Sequence, residues 1–144
     1  MKIIVFAIIG VAIVAVGAFF FLAQKSKAGT AIGIVNGALA PCPASPNCVS
    51  SETGTPESHA IAALPASAWG RLPDAILAMG GRLVEVRGDY LAAEFSTKLM
   101  GYVDDVEFRK AEDTVHVRSA SRVGHSDMGA NRKRVEALRA SLKE

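Results

Sequence analysis

One stretch near the C-terminus holds most of the side chains that could bind a ligand or titrate. Residues 118–134 read RSASRVGHSDMGANRKR. Guanidinium groups recognise carboxylates and phosphates. A histidine close to serine and aspartate can take part in acid–base or nucleophilic catalysis. This composition predicts one of three features: a cluster of polar side chains that stabilises the fold, an anion-binding site, or a small active site.

The charge of the chain is unevenly distributed. The net charge is +2, yet residues 28–117 carry 6 Lys and Arg against 11 Asp and Glu, whereas residues 118–144 carry 7 against 3. The basic section either neutralises the acidic body or attracts an anionic small molecule or lipid headgroup. Nucleic acid is not an expected partner, because the basic run at 132–134 is short and has no aromatic residue around it.

Residues 118–134 connect the end of a predicted strand to the start of a predicted helix. Helices are expected at residues 67–79 and 128–142, where apolar residues recur on one helical face. Apolar alternation and turn residues predict four strands. These lie at residues 82–87, 90–98, 102–109 and 114–119. The expected fold class is α+β: a four-stranded antiparallel sheet with two helices on one face and the other face partly solvated, preceded by an N-terminal transmembrane helix.

Strand alternation predicts a buried polar cluster. In residues 102–109 it places Asp104 on the same face as Val106 and Phe108, and Asn131 lies on the apolar face of the last helix. A buried carboxylate requires hydrogen bonds or a cation. We therefore expect Asp104, Asp105 and Asn131 to belong to a structural cluster that fixes the loop to the sheet. The arginine that completes it is expected to be Arg118, Arg122 or Arg132.

The second interpretation is an anion site at the start of the last helix. Ser126 or Asp127 suits the N-cap position, and backbone N–H groups there, together with arginines, favour phosphate or carboxylate. Asp127 weakens this interpretation, since its own carboxylate could fill the helix end. The candidate ligand-binding residues are Arg118, Ser121, Arg122, His125, Asn131, Arg132 and Arg134.

The third interpretation is a small hydrolase that uses His125 with a nearby serine or with Asp127. It is less favoured, because Ser, His and Asp are common in polar loops and no Gly-x-Ser-x-Gly elbow is present. His116 and His125 with Asp105 match no usual metal-ligand spacing. We therefore expect no metal and no cofactor, and a binding or structural module rather than an enzyme.

Residues 3–23 contain no charge and have the length of a bilayer-spanning helix, about 20 residues. A cleaved signal peptide has a shorter apolar region, roughly 7–15 residues, so we expect an uncleaved anchor that contacts the lipid bilayer. The sequence Ser-Lys-Ala at 26–28 fits the small-x-small cleavage pattern and keeps cleavage as the alternative. The predicted division is an anchor at 1–24, a linker at 25–40 and the α+β domain at 41–144.

The two cysteines, Cys42 and Cys48, lie close together around a proline-stiffened loop. A disulfide is expected, with free structural thiols or metal ligation as the alternatives. The positive-inside rule gives a near tie between Lys2 and the pair Lys25 and Lys27. A disulfide requires an oxidising compartment, so we expect a single-pass inner-membrane protein with its soluble domain in the periplasm.

Three ordered motifs carry a family resemblance: CPASPNCVSS at 42–51, GYVDDVEF at 101–108, and the stretch at 118–134. Together they resemble the uncharacterised family catalogued as domain of unknown function 1499, found in bacteria, often behind a membrane segment, and in plastids. The resemblance covers residues 39–142. It implies membrane association and these domain limits, and it implies no established activity, cofactor or catalytic residue. The expectation is therefore a membrane-tethered envelope domain of unknown biochemical activity.

Overall fold

The structure is a computed structural model that describes residues 2–143. A long N-terminal helix precedes a small hairpin and a larger sheet with helices packed on it. The elements are α1 (Lys2–Ala28), β1 (Ile34–Val35), β2 (Ala38–Leu39), β3 (Cys48–Ser50), β4 (Leu64–Pro65), a 3-10 helix (Ala66–Arg71), α2 (Leu72–Ala78), β5 (Arg82–Arg87), β6 (Tyr90–Ser96), β7 (Val103–Lys110), β8 (Thr114–Ser121) and α3 (Ala130–Ser141).

The main sheet is antiparallel and has the strand order β3-β8-β7-β6-β5, with β4 also paired to β8. The predicted mixed α+β class is confirmed, but the prediction of four strands is wrong, because the sheet has six. The two additional strands, β3 and β4, are three and two residues long. Both lie in a proline-rich segment where no alternation is long enough to predict a strand. Pro65 ends β4, as suits a residue without a backbone N–H.

The helices also differ from the prediction. Residues 67–79 form a 3-10 helix followed by α2, and Pro73 lies in the first turn of α2, where its missing N–H costs nothing. The last helix begins at Ala130, because Gly129 is left-handed, with φ 77°. The sheet therefore packs against two α-helices and a 3-10 helix instead of two helices.

The main core lies between the sheet and these helices. Phe108 from β7, Ile76 from α2 and Leu138 from α3 are among its buried side chains. Burial of each such side chain contributes about 1.5–3 kcal/mol. The chain approaches itself closely at Gly81, where a Cβ would come within 2.7 Å of both Ile76 and Phe95. A side chain at this position would therefore push α2 away from the sheet.

The second face of the sheet is covered over β6, β7 and β8 and exposed along β5, so it is partly solvated as expected. Leu39 from β2 packs with Tyr90 and Ala92 from β6 in a second small core. Residues 25–40, assigned to a linker from sequence, comprise the end of α1 and the β1–β2 hairpin. The polar side chains on the second face of β7 and β8 are therefore enclosed between the sheet and the N-terminal segment.

Helix α1 is long and apolar enough to cross a membrane, as either an anchor or a signal sequence would be. Its apolar residues are exposed as far as Phe21, whereas Ala23 and Ser26 are buried against the domain. The Val103 N–H donates to Ser26 Oγ at 3.1 Å, and the Tyr102 hydroxyl donates to the Phe19 carbonyl oxygen at 3.1 Å. The helix is thus held against the start of β7.

Candidate functional site

The first buried polar group lies where α3 crosses the sheet, and we call Asp104, Ser119, Asn131 and Arg134 the α3 cluster. Arg134 Nη2 donates to Asp104 Oδ2 at 2.7 Å, and Nη1 donates to Asn131 Oδ1 at 2.6 Å and to Ser119 Oγ at 3.1 Å. The same guanidinium lies 5.0 Å from the centre of the Phe95 ring. The arginine that joins Asp104 to Asn131 is therefore Arg134.

This result corrects the arginine expected from sequence, since none of the three predicted residues fills that place. Arg132 instead donates to the carbonyl oxygens of Ala60 at 2.7 Å and Ser58 at 3.2 Å. Arg118 and Arg122 lie in β8 or directly after it and bind carboxylates on the opposite face of the sheet. Arg132 and Arg134 are two residues apart, which is about 200° around a helix, so they point to opposite sides of α3. Sequence analysis did not identify which of them meets Asp104.

Asn131 is fully buried and forms hydrogen bonds with Ser119 and Arg134 of the α3 cluster. Its Oδ1 accepts from the Ser119 hydroxyl at 2.6 Å, and its Nδ2 donates to Ser121 Oγ and to the Asn47 carbonyl oxygen, both at 3.0 Å. One side chain thus links α3 to β8 and to the residue before β3. This cluster fixes the stretch 118–134 to the sheet.

The helix end that was a candidate anion site is filled by Asp127. Its carboxylate accepts the backbone N–H of Gly129 at 3.0 Å and of Asn131 at 2.8 Å. Burial raises the pKa of Asp127, but the hydrogen bonds from these two N–H groups outweigh it and hold that pKa below its usual value. A negative charge therefore already occupies the N-terminus of α3.

His125 is solvent-exposed, and no side-chain hydrogen bond within residues 2–143 involves its ring. The neighbouring Ser126 hydroxyl accepts from the Met128 N–H at 3.3 Å. In the same described range, no group of three or more His, Cys, Asp or Glu is arranged to hold a metal ion. The geometry gives His125 neither an orienting group nor a nucleophile.

The second-face cluster consists of Glu94, Asp105, Glu107, Arg118 and Arg122. Arg122 Nε and Nη2 donate to the two Asp105 oxygens at 2.7 and 2.6 Å, and Nη2 also donates to Glu94 Oε1 at 2.6 Å. The hydrogen bonds to Asp105 raise the pKa of Arg122. Asp105, grouped with Asp104 from sequence, therefore belongs to a separate cluster on the opposite face of β7.

Glu107 is fully enclosed in this cluster. It accepts from Arg118 Nη1 at 2.9 Å, from the Tyr90 hydroxyl at 2.8 Å and from the Gly33 N–H at 2.6 Å. Burial and the adjacent Glu107 charge raise the pKa of Tyr90. Sequence reasoning missed Glu107 and Glu94, because strand parity assigned this face to solvent. The available signal was the alternation of acids along residues 105–107 opposite the arginines of residues 118–122.

Residues 38–142 match the family described as "Protein of unknown function (DUF1499)". The match covers most of the chain. The chain belongs to the DUF1499 family. No curated protein and no solved structure matches it. The predicted family is thereby confirmed, and residues 38–142 are called the DUF1499 domain below. The matched range contains both the α3 cluster and the second-face cluster.

A cavity of about 480 Å³ lies between the second face of the DUF1499 domain and the segment that covers it. Cys42 and Cys48 form the predicted disulfide, with their Cα atoms 5.6 Å apart, and Cys42 lines this cavity. Of the seven candidate ligand-binding residues, Arg118, Ser121 and Arg122 also line it, while the other four lie outside it. The sequence-predicted ligand residues thus divide between this cavity and the α3 region.

Arg118 is 4% exposed, and its Nε is the one buried side-chain nitrogen or oxygen within residues 2–143 that has no hydrogen-bond partner. A buried donor without an acceptor costs about 1–3 kcal/mol. The guanidinium that carries this donor is held in place on its other side by Glu107. Arg118 is also one of the residues that line the cavity, and a fixed cation with an unused N–H is suited to an acceptor oxygen of a ligand.

The arginines and carboxylates near the cavity are equal in number. Arg82 pairs with Glu94 of the second-face cluster, and it brings the number of arginines to three against the three carboxylates of that cluster. Burial raises the pKa of Glu94, but hydrogen bonds from Arg122 and Arg82 outweigh it and lower that pKa overall. Because the site is neutral when every group is ionised, it suits a ligand with one negative charge better than one with two.

Proposed function

We propose that the protein is a single-pass inner-membrane protein whose DUF1499 domain binds a small monocarboxylate on the periplasmic side. The binding site is the cavity beside the Cys42–Cys48 disulfide. The observation that carries the proposal is the buried Arg118 Nε, which has no acceptor within residues 2–143. A carboxylate oxygen at this position would supply that acceptor and form a charge-assisted hydrogen bond, which contributes about 1.5–3 kcal/mol.

The rest of the cavity favours a ligand with an apolar body. Ile32, Pro41, Pro43 and Ala120 contribute to its lining. In an apolar cavity, a polar group that has no hydrogen-bond partner orients the ligand, and the apolar walls provide contact area. The proposed ligand is therefore a short aliphatic or aromatic carboxylate, bound with its charged end toward Arg118.

We expect monocarboxylates to stabilise the full chain against thermal unfolding in detergent. Butyrate and benzoate are compared with butyramide and benzamide, which have matched shapes and no charge. A ligand present at 100 times its dissociation constant adds about 2.7 kcal/mol. Arg118→Lys keeps the positive charge beside Glu107 but removes the guanidinium Nε, so this variant is expected to lose the carboxylate-specific stabilisation.

The matched control is Arg132→Lys, because Arg132 binds backbone carbonyls away from the cavity. This variant is expected to respond to carboxylates as the wild type does. Equal stabilisation by acids and amides, no stabilisation by any acid in the panel, or an undiminished response in Arg118→Lys would each contradict the proposal.

A hydrolase is not supported as a second function. Its proposed base, His125, is exposed and without a polar side-chain partner in the described part of the chain. Its other candidate, Asp127, already accepts two backbone N–H groups and the Asn131 side chain. A general base must lie within hydrogen-bond reach of the group that it activates, and neither residue has such a neighbour.

The periplasmic placement rests on the disulfide, since such bonds persist in oxidising compartments. In spheroplasts, an impermeant reductant followed by an impermeant maleimide is expected to label Cys42 and Cys48, with no labelling before reduction. A Lys2→Cys variant is the control, because a thiol on the cytoplasmic side of α1 should be labelled only after lysis. Labelling of Cys42 and Cys48 only after lysis would place the domain in the cytoplasm and contradict the proposal.

A further inference from the structure

Two loops of the DUF1499 domain lie beside the anchor helix, and we call residues 97–101 and 123–129 the helix-side loops. They carry Leu99 and Met128, whose exposed fractions are 91% and 90%. These are the most exposed large apolar side chains outside α1 within residues 2–143. Both therefore present an apolar tip at the same end of the domain.

The contacts of Tyr102 set the depth of these loops relative to α1. Its hydroxyl donates to the carbonyl oxygen of Phe19 at 3.1 Å. Phe19 precedes Ala23, the last residue of the apolar run, by four residues, which is about 6 Å along a helix. The tyrosine ring thus lies alongside the final turn of the apolar run. Tyrosines favour the membrane–water interface, where one end of the ring is apolar and the other is polar.

A second cavity, of about 380 Å³, joins α1 to the helix-side loops. Its apolar walls include Phe19 and Leu22 from the helix and Val123 and Met128 from a loop. Apolar residues of the span and of the loop therefore line one cavity together, beside Asp104 and Asp127. Lipid that surrounds the end of α1 would therefore also contact the helix-side loops.

Exposed lysines surround the same end. Lys25 and Lys27 follow the apolar run, and Lys98 lies next to Leu99. Lys27 packs on Gly101, where a Cβ would come within 3.2 Å of the Lys27 Cε atom. Cationic side chains beside an apolar surface favour the headgroups of anionic lipids.

Met128 adds an independent feature, because its backbone is left-handed with φ 53°. Glycine or asparagine is the usual residue in this conformation. Here a large apolar side chain that is 90% exposed occupies the position. Residues held in sparsely populated backbone conformations are concentrated at functional sites.

We propose that the helix-side loops rest in the interface of the bilayer that α1 spans, with Leu99 and Met128 inserted among the lipids and the three lysines at the headgroups. This inference rests on the proposed membrane anchoring. The inserted loops hold the domain against the membrane in one orientation, with the end that carries these loops facing the bilayer. The carboxylate cavity beside Cys42 then lies within a domain of fixed orientation at the membrane surface.

The test places an environment-sensitive nitrobenzoxadiazole label on single introduced thiols in the full chain, since Cys42 and Cys48 are paired and leave no other free thiol. Leu99→Cys and Met128→Cys probe the loops. Glu112→Cys is the matched exposed control, because it lies in the turn after β7, about 25 Å along the strand from its start. Val11→Cys reports whether α1 spans the bilayer.

The labelled proteins are reconstituted in vesicles of phosphatidylethanolamine and phosphatidylglycerol that contain doxyl-labelled lipids. We expect labels at positions 99 and 128 to be quenched by a shallow doxyl group several times more strongly than the label at position 112. Quenching at position 11 by a deep doxyl group, with positions 99 and 128 no more quenched than 112, would overturn the docking and leave the anchoring intact. Absence of quenching at position 11 as well would overturn both.

Discussion

Glu107→Ala is expected to lower the free energy of unfolding by about 3–5 kcal/mol. The substitution leaves the Arg118 charge buried without a counter-charge and removes the acceptor of the Tyr90 hydroxyl and the Gly33 N–H. Breaking one partner of a buried pair is costly because the remaining ion cannot recover its hydration. Urea denaturation of the full chain in detergent measures the change.

The control for this substitution is Glu136→Ala, since the Glu136 side chain is 53% exposed in its ion pair with Arg139. Exposed pairs contribute about 0–1 kcal/mol, so this variant should unfold close to the wild type. Glu107→Gln retains the shape and one acceptor oxygen, and it is expected to fall between the two. If Glu107→Ala cost no more than Glu136→Ala, the buried pair would not be a major source of stability.

The second large effect is expected at Asn131. Asn131→Ala should cost about 3 kcal/mol, because several buried groups lose a partner at once and each unsatisfied group costs about 1–3 kcal/mol without full additivity. The groups affected include Ser119, Arg134 and the Asn47 carbonyl oxygen. Urea unfolding at neutral pH provides the measurement.

Lys133→Ala serves as the comparison in the same turn of α3, because Lys133 is exposed. Its expected change in stability is within about 0.5 kcal/mol, as for most surface substitutions. Near-equal midpoints for Asn131→Ala and Lys133→Ala would show that the α3 cluster does not hold the loop to the sheet. A loss confined to Asn131→Ala supports the structural interpretation of the stretch 118–134.

Part of this arrangement was predictable from local pattern. Alternation along β7 and periodicity along α3 brought Asp104 and Asn131 to one side of the sheet, and the structure joins them through Arg134. The pattern fixes which face a side chain takes but not which of several arginines reaches it. That choice depends on the crossing of α3 over β7 and β8, which no local spacing encodes.

The second face was not predictable for a different reason. Strand parity separated Asp105 and Glu107 from Asp104, but it could not show that residues 29–43 return to cover them. The covering segment has little periodicity, and its contacts span long sequence separations, such as Gly33 to Glu107. Acids expected in water are instead buried with arginines, and the cavity beside Arg118 exists only because of that covering segment.

The central claim is that the Arg118 Nε–H is the donor for a ligand. Nitrogen-15 NMR of the arginine Nε–H groups during a benzoate titration tests it most directly, with the Arg118 resonance assigned by its loss in Arg118→Lys. The predicted result is a saturable shift and slower water exchange of the Arg118 Nε–H, with the Arg132 resonance unchanged. An Arg118 resonance that stays in place throughout the titration, or moves no more than that of Arg132, would contradict the claim.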